Sequence, residues 1–168
     1  MPDQRIFIAL CAGLLLYCLT GIAQSHDANC DALSVKEIHS ADGKIAIALN
    51  IYINGKLMDS ILTKTTGQYA HSEYKFLDLN LDGKCDLVVI DVGSATHGGM
   101  NHYYYMYHSD TKKYVPHHSL PSFNSGVEID SSNTNRIVVH CPYRDCTAYY
   151  KYSKNAFTLV EGEFFIEP

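Results

Sequence analysis

The feature that most limits the fold of this chain is a period of two in its apolar residues. Ile45, Ile47, Leu49, Ile51 and Ile53 alternate with Ala46, Ala48, Asn50 and Tyr52, and Asn54-Gly55 follows directly. Alternation sets one row of side chains on one face of a strand, and Asn-Gly accepts positive φ at both positions of a two-residue hairpin turn. A return strand is expected over Leu57–Thr63. The same grammar recurs downstream. Leu87–Val92 is an apolar run broken only by Asp91, as expected of a strand covered on both faces. His102–His108 sets Tyr103, Tyr105 and Tyr107 on one face and Tyr104 and Met106 on the other. Ser109–Lys112 reads as a turn before a short strand at Lys113–Pro116. Arg136–Cys141, Thr147–Tyr152 and Phe157–Phe164 complete the series, the last two joined by Ser153–Ala156. Ser131–Asn135 reads as a loop. The expectation is an all-β domain of roughly eight or nine short antiparallel strands, sandwich-like or propeller-like.

The N-terminus has a different character. Arg5 precedes an apolar run from Ile6 to Leu19, and the small residues Gly21 and Ala23 follow two apart. A charged start, a short apolar run and a small-x-small exit make a secretory signal peptide, cut after Ala23. The run is shorter than the ~20 residues of a spanning helix. Neither Cys11 nor Cys18 follows a small residue, as a lipid-anchor cysteine would. Residues 1–23 are therefore expected to be removed, leaving 24–168 as one exported, soluble domain, periplasmic in a Gram-negative source.

Export bears on the cysteines. Cys30, Cys85, Cys141 and Cys146 remain, an even number that allows three pairings in an oxidising compartment. Cys141–Cys146 with Cys30–Cys85 is the favoured pairing, because Pro142-Tyr143-Arg144-Asp145 makes a turn between two strand-like runs. The rival is a four-cysteine zinc site, which the scattered spacing disfavours. A net charge of -5 leaves no basic patch for a nucleic acid.

Asp78-Leu79-Asn80-Leu81-Asp82-Gly83-Lys84-Cys85-Asp86 carries the chemistry. Its pattern is D-x-N-x-D-G-x-x-D. Asp78, Asn80 and Asp82 can converge on one cation, Gly83 permits the sharp turn, the Lys84 carbonyl supplies an oxygen, and Asp86 adds a carboxylate directly or through water. Hard oxygen donors of this kind suit Ca2+. An EF-hand needs Glu at position 12, where this chain has Val89 inside an apolar strand. The loop therefore leads straight into a strand, and its expected ion is structural. Without the ion the same segment reads as an acidic turn with Asx hydrogen bonds.

The order of this loop, the apolar strand, the small-residue loop Gly93–Asn101, a Tyr-rich strand and Ser109–Tyr114 resembles the exported calcium-loop immunity proteins that inhibit lysozyme-like effectors of bacterial type IV secretion. The resemblance covers roughly residues 44–164 and is strongest over 76–115. It implies a propeller-like all-β fold related to periplasmic lysozyme inhibitors, a metal role for Asp78, Asn80, Asp82 and Asp86, and a lysozyme-like peptidoglycan hydrolase as partner. Cys85 within the loop, the Cys141 and Cys146 pair and the lack of an acylated N-terminal Cys depart from the pattern.

An inhibitor plugs a carboxylate-lined cleft with aromatics and hydrogen-bond donors on a fixed loop. Two loops are candidates. Ser94–Asn101, flexible through Gly98 and Gly99, offers Ser94, His97 and Asn101, and Pro142–Asp145 offers Tyr143 and Arg144 at a disulfide-stapled tip. The alternative is a calcium-stabilised adhesive or carbohydrate-binding module that stacks sugars on the Tyr-rich strand. No His-Glu-x-x-His, nucleophile elbow or phosphate loop is present, so catalysis is not expected.

Overall fold

Leu87, Val88, Val89 and Ile90 are all buried, and they are buried in two directions. The computed structural model describes residues 30–39, 46–62, 72–96, 98–133, 135–142 and 146–163. Within them, Val88 and Ile90 pack with Leu79, Tyr104, Met106, Val127, Ile137, Val139, Ala148, Tyr150 and Phe157. Leu87 and Val89 pack on the opposite side with Leu49, Ile51, Ile61, Tyr105 and Tyr114. One strand with two apolar faces therefore needs a layer on each side, and the fold supplies both.

The layers are three antiparallel sheets, none closed into a barrel. β1 (Leu33–His39), β2 (Ala46–Ile53) and β3 (Lys56–Leu62) form the first. β4 (Ser72–Leu77), β5 (Asp86–Thr96), β6 (Gly99–His108) and β7 (Lys113–His117) form the central one, with β8 (Phe123–Asn124) pairing β6. β9 (Gly126–Ile129), β10 (Ile137–His140), β11 (Thr147–Ser153) and β12 (Ala156–Gly162) form the third. The described residues contain no helix. Asn54 and Gly55 turn at φ 49° and 75°, as the dipeptide demands, and Lys154 and Asn155 do the same at 52° and 61°.

The all-β class matches the expectation, with more strands than expected. β1, β4, β8 and β9 are additional. β1 and β4 alternate, but Lys36 and Glu37 in one and Glu73 and Lys75 in the other leave each with few apolar residues. The expected loop Gly93–Asn101 is mostly hairpin, because β5 runs on to Thr96 and β6 begins at Gly99. Residues 1–29, including the expected signal segment, lie outside the described residues, as do Ile45, Thr63 and Phe164.

Polar ties join the layers. Asp59 of β3 is buried and accepts hydrogen bonds from Lys113 Nζ at 2.7 Å and from the Tyr114 N–H at 2.8 Å, both on β7. Within the third sheet Arg136 bridges Asp130 and Glu161 while lying over the Tyr149 ring at 4.1 Å.

Candidate metal loop and contact face

The 78–86 loop joins neighbouring strands, since Leu77 of β4 is the register partner of Asp86 of β5. Leu81 at φ 61° and Gly83 at φ 81° turn the chain back. The Asp78 carboxylate accepts the N–H of Asp82 at 3.0 Å and of Gly83 at 2.8 Å. Asn80 Oδ1 accepts the Asp82 N–H at 3.1 Å, and Asp82 Oδ1 accepts the Lys84 N–H at 2.9 Å. Asn80 Nδ2 donates to Asp82 Oδ2 at 3.0 Å. The side chains at positions 1, 3 and 5 are thus drawn around one turn by its own backbone.

Asp86 does a different job. It is wholly buried, and its two oxygens accept the N–H of Leu79 at 3.0 Å and of Tyr107 at 2.8 Å. The second bond ties the loop to β6. Burial pushes this carboxyl up to about 7; the two N–H bonds oppose the shift and the charges of Asp82 and Asp78 add to it. Leu79 seats the loop in the core between the central and third sheets. The Cys30–Cys85 disulfide, with its Cα atoms 5.8 Å apart, clamps the loop to the start of β1, and Tyr114 Oη donates to the Cys85 carbonyl at 3.1 Å.

These residues fit a hard divalent cation by donor chemistry. Carboxylate and amide oxygens surround the turn, the one sulfur is locked in a disulfide, and an oxygen that accepts one N–H keeps a second lone pair. Among the described residues no three His, Cys, Asp or Glu side chains already form a cage, so the loop presents its oxygens from a turn.

Ser94 and Asn101, the two described contact candidates, lie toward the far end of β5, where the stretch Asp91–Thr96 opposes only Asn101–Gly99 of β6, so the two ends of β5 stand roughly 23 Å apart. Ser94 Oγ donates to the Asp91 carbonyl at 2.6 Å and accepts the Asn101 N–H at 2.8 Å, closing the irregular stretch between Asp91 and Thr96. Ser94 therefore braces its own hairpin. Asn101 is half-buried, a register partner of both Asp91 and Phe123. His97, Tyr143 and Arg144 lie outside the described residues.

The two candidate loops meet. A Cβ at Gly98, whose φ is +86°, would lie 2.6 Å from the Pro142 carbonyl oxygen. One at Gly99 would lie 2.4 Å from Pro142 Cβ and 2.8 Å from the Phe123 ring. Glycine is needed here for close approach. Pro142 is held by the Cys141–Cys146 disulfide, by the Cys141 N–H bonded to the Cys146 carbonyl at 3.0 Å, and by Ser125 Oγ donating to the Cys141 carbonyl at 3.0 Å. Gly98-Gly99 reads as flexible in the sequence; in the fold the pair is a packing surface against Pro142 and Phe123. Both favoured disulfide pairings are present.

The tyrosines of β6 are buried or half-buried. Tyr104 and Tyr105 are buried on opposite faces of β6, and Tyr103 and Tyr107 pack against the first sheet's core. Comparison with protein-family models, with curated proteins and with solved structures returns no match.

Proposed function

We propose that this chain is an exported inhibitor or immunity protein that occludes the cleft of a lysozyme-like peptidoglycan hydrolase, with a structural Ca2+ in the 78–86 loop. The observation that carries the reading is the contact of the β5–β6 hairpin with the disulfide-closed Cys141–Cys146 loop through Gly98, Gly99 and Pro142. Gly98 and Gly99 held against Pro142 lose less freedom on binding than turns that do not touch, which favours a rigid plug. Two disulfides fit an extracellular or periplasmic protein, and the N-terminal pattern favours export, to the periplasm in a Gram-negative source.

In this reading Asp78, Asn80, Asp82 and the Lys84 carbonyl hold the ion, and Asp86, whose two oxygens already accept the N–H groups of Leu79 and Tyr107, adds to the set through a remaining lone pair or a water. The ion offsets carboxylate repulsion and stiffens the start of β5; it is roughly 23 Å from the contact end and reaches it only through the strand. Free Ca2+ at tenfold its Kd would add about 1.4 kcal/mol of stability. A carbohydrate-binding module would need an aromatic platform in solvent, whereas Tyr104 and Tyr105 of β6 are buried and Tyr103 and Tyr107 are half-buried against the first sheet's core.

The test is capture of periplasmic proteins on immobilised residues 24–168, followed by wall-turbidity assay of what is retained. Retention of a muralytic enzyme whose turnover stops near one inhibitor per enzyme supports the reading. Retention of wall fragments without any enzyme, or unchanged lysis in excess inhibitor, overturns it.

A further inference from the structure

The face of β5 turned toward the first sheet changes character after Val89. Leu87 and Val89 enter the apolar core, but the next residue on that face is Asp91, only 1% exposed. Among the described residues Asp91 Oδ2 is buried without a hydrogen-bond partner. None of the ion pairs among the described residues includes Asp91. A bare carboxylate oxygen in a marginally stable interior is kept only with a counter-charge, a proton or water.

Its neighbours favour the counter-charge. Ser72 of β4 and Asn101 of β6 are the register partners of Asp91, one on each side on the same face. Directly opposed residues bring their Cβ atoms within about 5 Å. Ser72 hydrogen-bonds Tyr74, whose hydroxyl donates to Glu37 of β1. With the Tyr74 hydrogen given to Glu37, the Ser72 hydroxyl hydrogen goes to Tyr74, and the lone pairs of Ser72 Oγ remain for another partner. A carboxylate, a hydroxyl oxygen and an amide oxygen thus stand in one row across three strands, and oxygen-only sets of this kind suit hard cations.

We propose that Asp91, flanked in register by Ser72 and Asn101, holds a hard cation at a site separate from the 78–86 loop. Asp86 and Asp91 are five residues apart on one strand, about 17 Å. The site lies where the irregular stretch of the β5–β6 hairpin begins, since Ser94 is pinned to the Asp91 carbonyl. A cation there stiffens the base of that hairpin.

Equilibrium dialysis of the full exported chain against Ca2+ tests the site, with a parallel arm comparing melting in NaCl and in choline chloride. Wild type is expected to bind one more Ca2+ than Asp91→Asn or, if the site takes Na+, to show a Na+-dependent rise in Tm that Asp91→Asn lacks. Asp82→Asn must leave this equivalent in place, so failure of the loop and failure of this site are told apart. If Asp91→Asn does not fold, Asn101→Ala carries the comparison, with at least tenfold weaker cation binding expected. Equal stoichiometry and equal Na+ response in wild type and the folded variant overturn the proposal and leave a proton or water as the partner.

Discussion

Replacing Gly99 by alanine probes the docking of the two loops directly. The added methyl would stand 2.4 Å from Pro142 Cβ and 2.8 and 2.9 Å from two Phe123 ring carbons. Carbon atoms rest at about 3.5–4.0 Å, so the overlap exceeds about half an ångström on two sides. Neither neighbour yields easily: Pro142 sits in a disulfide-closed loop, and Phe123 is held in a two-residue strand beside wholly buried Asn124. Overpacking of this kind costs about 1–3 kcal/mol, so Gly99→Ala is expected to lose about 2 kcal/mol and roughly 4–8 °C in Tm. Two glycines calibrate the result. Gly126→Ala meets only His140 Cδ2 at 3.6 Å and is expected within about 0.5 kcal/mol of wild type. Gly55→Ala meets nothing, but its φ of +75° costs about 1 kcal/mol, at a turn remote from the contact loops. Urea unfolding gives the stabilities, and titration of wall lysis gives the function. Gly99→Ala alone should weaken inhibition. A Gly99→Ala protein as stable and as inhibitory as Gly126→Ala would refute the claim that the loops are locked by close approach.

The remaining predictions concern the ties between layers. Loop-closure entropy gives roughly 4 kcal/mol for Cys30–Cys85, across 55 residues, and roughly 2 for Cys141–Cys146, across 5. Paired Cys→Ala variants should show that order by urea unfolding, while only loss of the shorter bridge should impair lysis inhibition. Asp59→Ala leaves the Tyr114 N–H and Lys113 without their acceptor and should cost about 2–4 kcal/mol; a loss below about 0.5 would remove Asp59 as the tie between β3 and β7. Burial holds His102 below its ordinary value, so the unfolded chain binds its proton first and this residue's contribution to stability falls as pH drops below about 6.5. Asp86, held up to about 7, contributes with the opposite sign over pH 4–7. The measurement is therefore the difference in unfolding free energy between wild type and His102→Gln from pH 7 to 5, which should shift against wild type on acidification.

What was legible in the sequence was what repeats. The alternation that puts Leu49 and Ile51 in one core, the Asn54-Gly55 turn after it, the two-faced run Leu87–Val92, and the split of Tyr103, Tyr105 and Tyr107 from Tyr104 and Met106 all report a local period that the sheets preserve. β1 and β4 were less legible because solvent faces both their charged residues and much of their length, so few apolar side chains mark them. The roles of Ser94 and Asp86 were not legible at all. Each is set by a partner brought in from another strand, Asn101 for one and Tyr107 for the other. Gly98-Gly99 reads as flexible because nothing local to it marks Pro142, whose Cβ would stand 2.4 Å from a Cβ at Gly99.

The most direct test of the account is a titration of wall lysis by a panel of lysozymes of different classes with the chain from residue 24 onward, in Ca2+ and in chelator. The account predicts that at least one enzyme is silenced at a sharp endpoint near one inhibitor per enzyme, and that chelation lowers the inhibitor's Tm before it moves the endpoint. Lysis that proceeds at full rate for every enzyme in molar excess of a folded, disulfide-intact chain would contradict it.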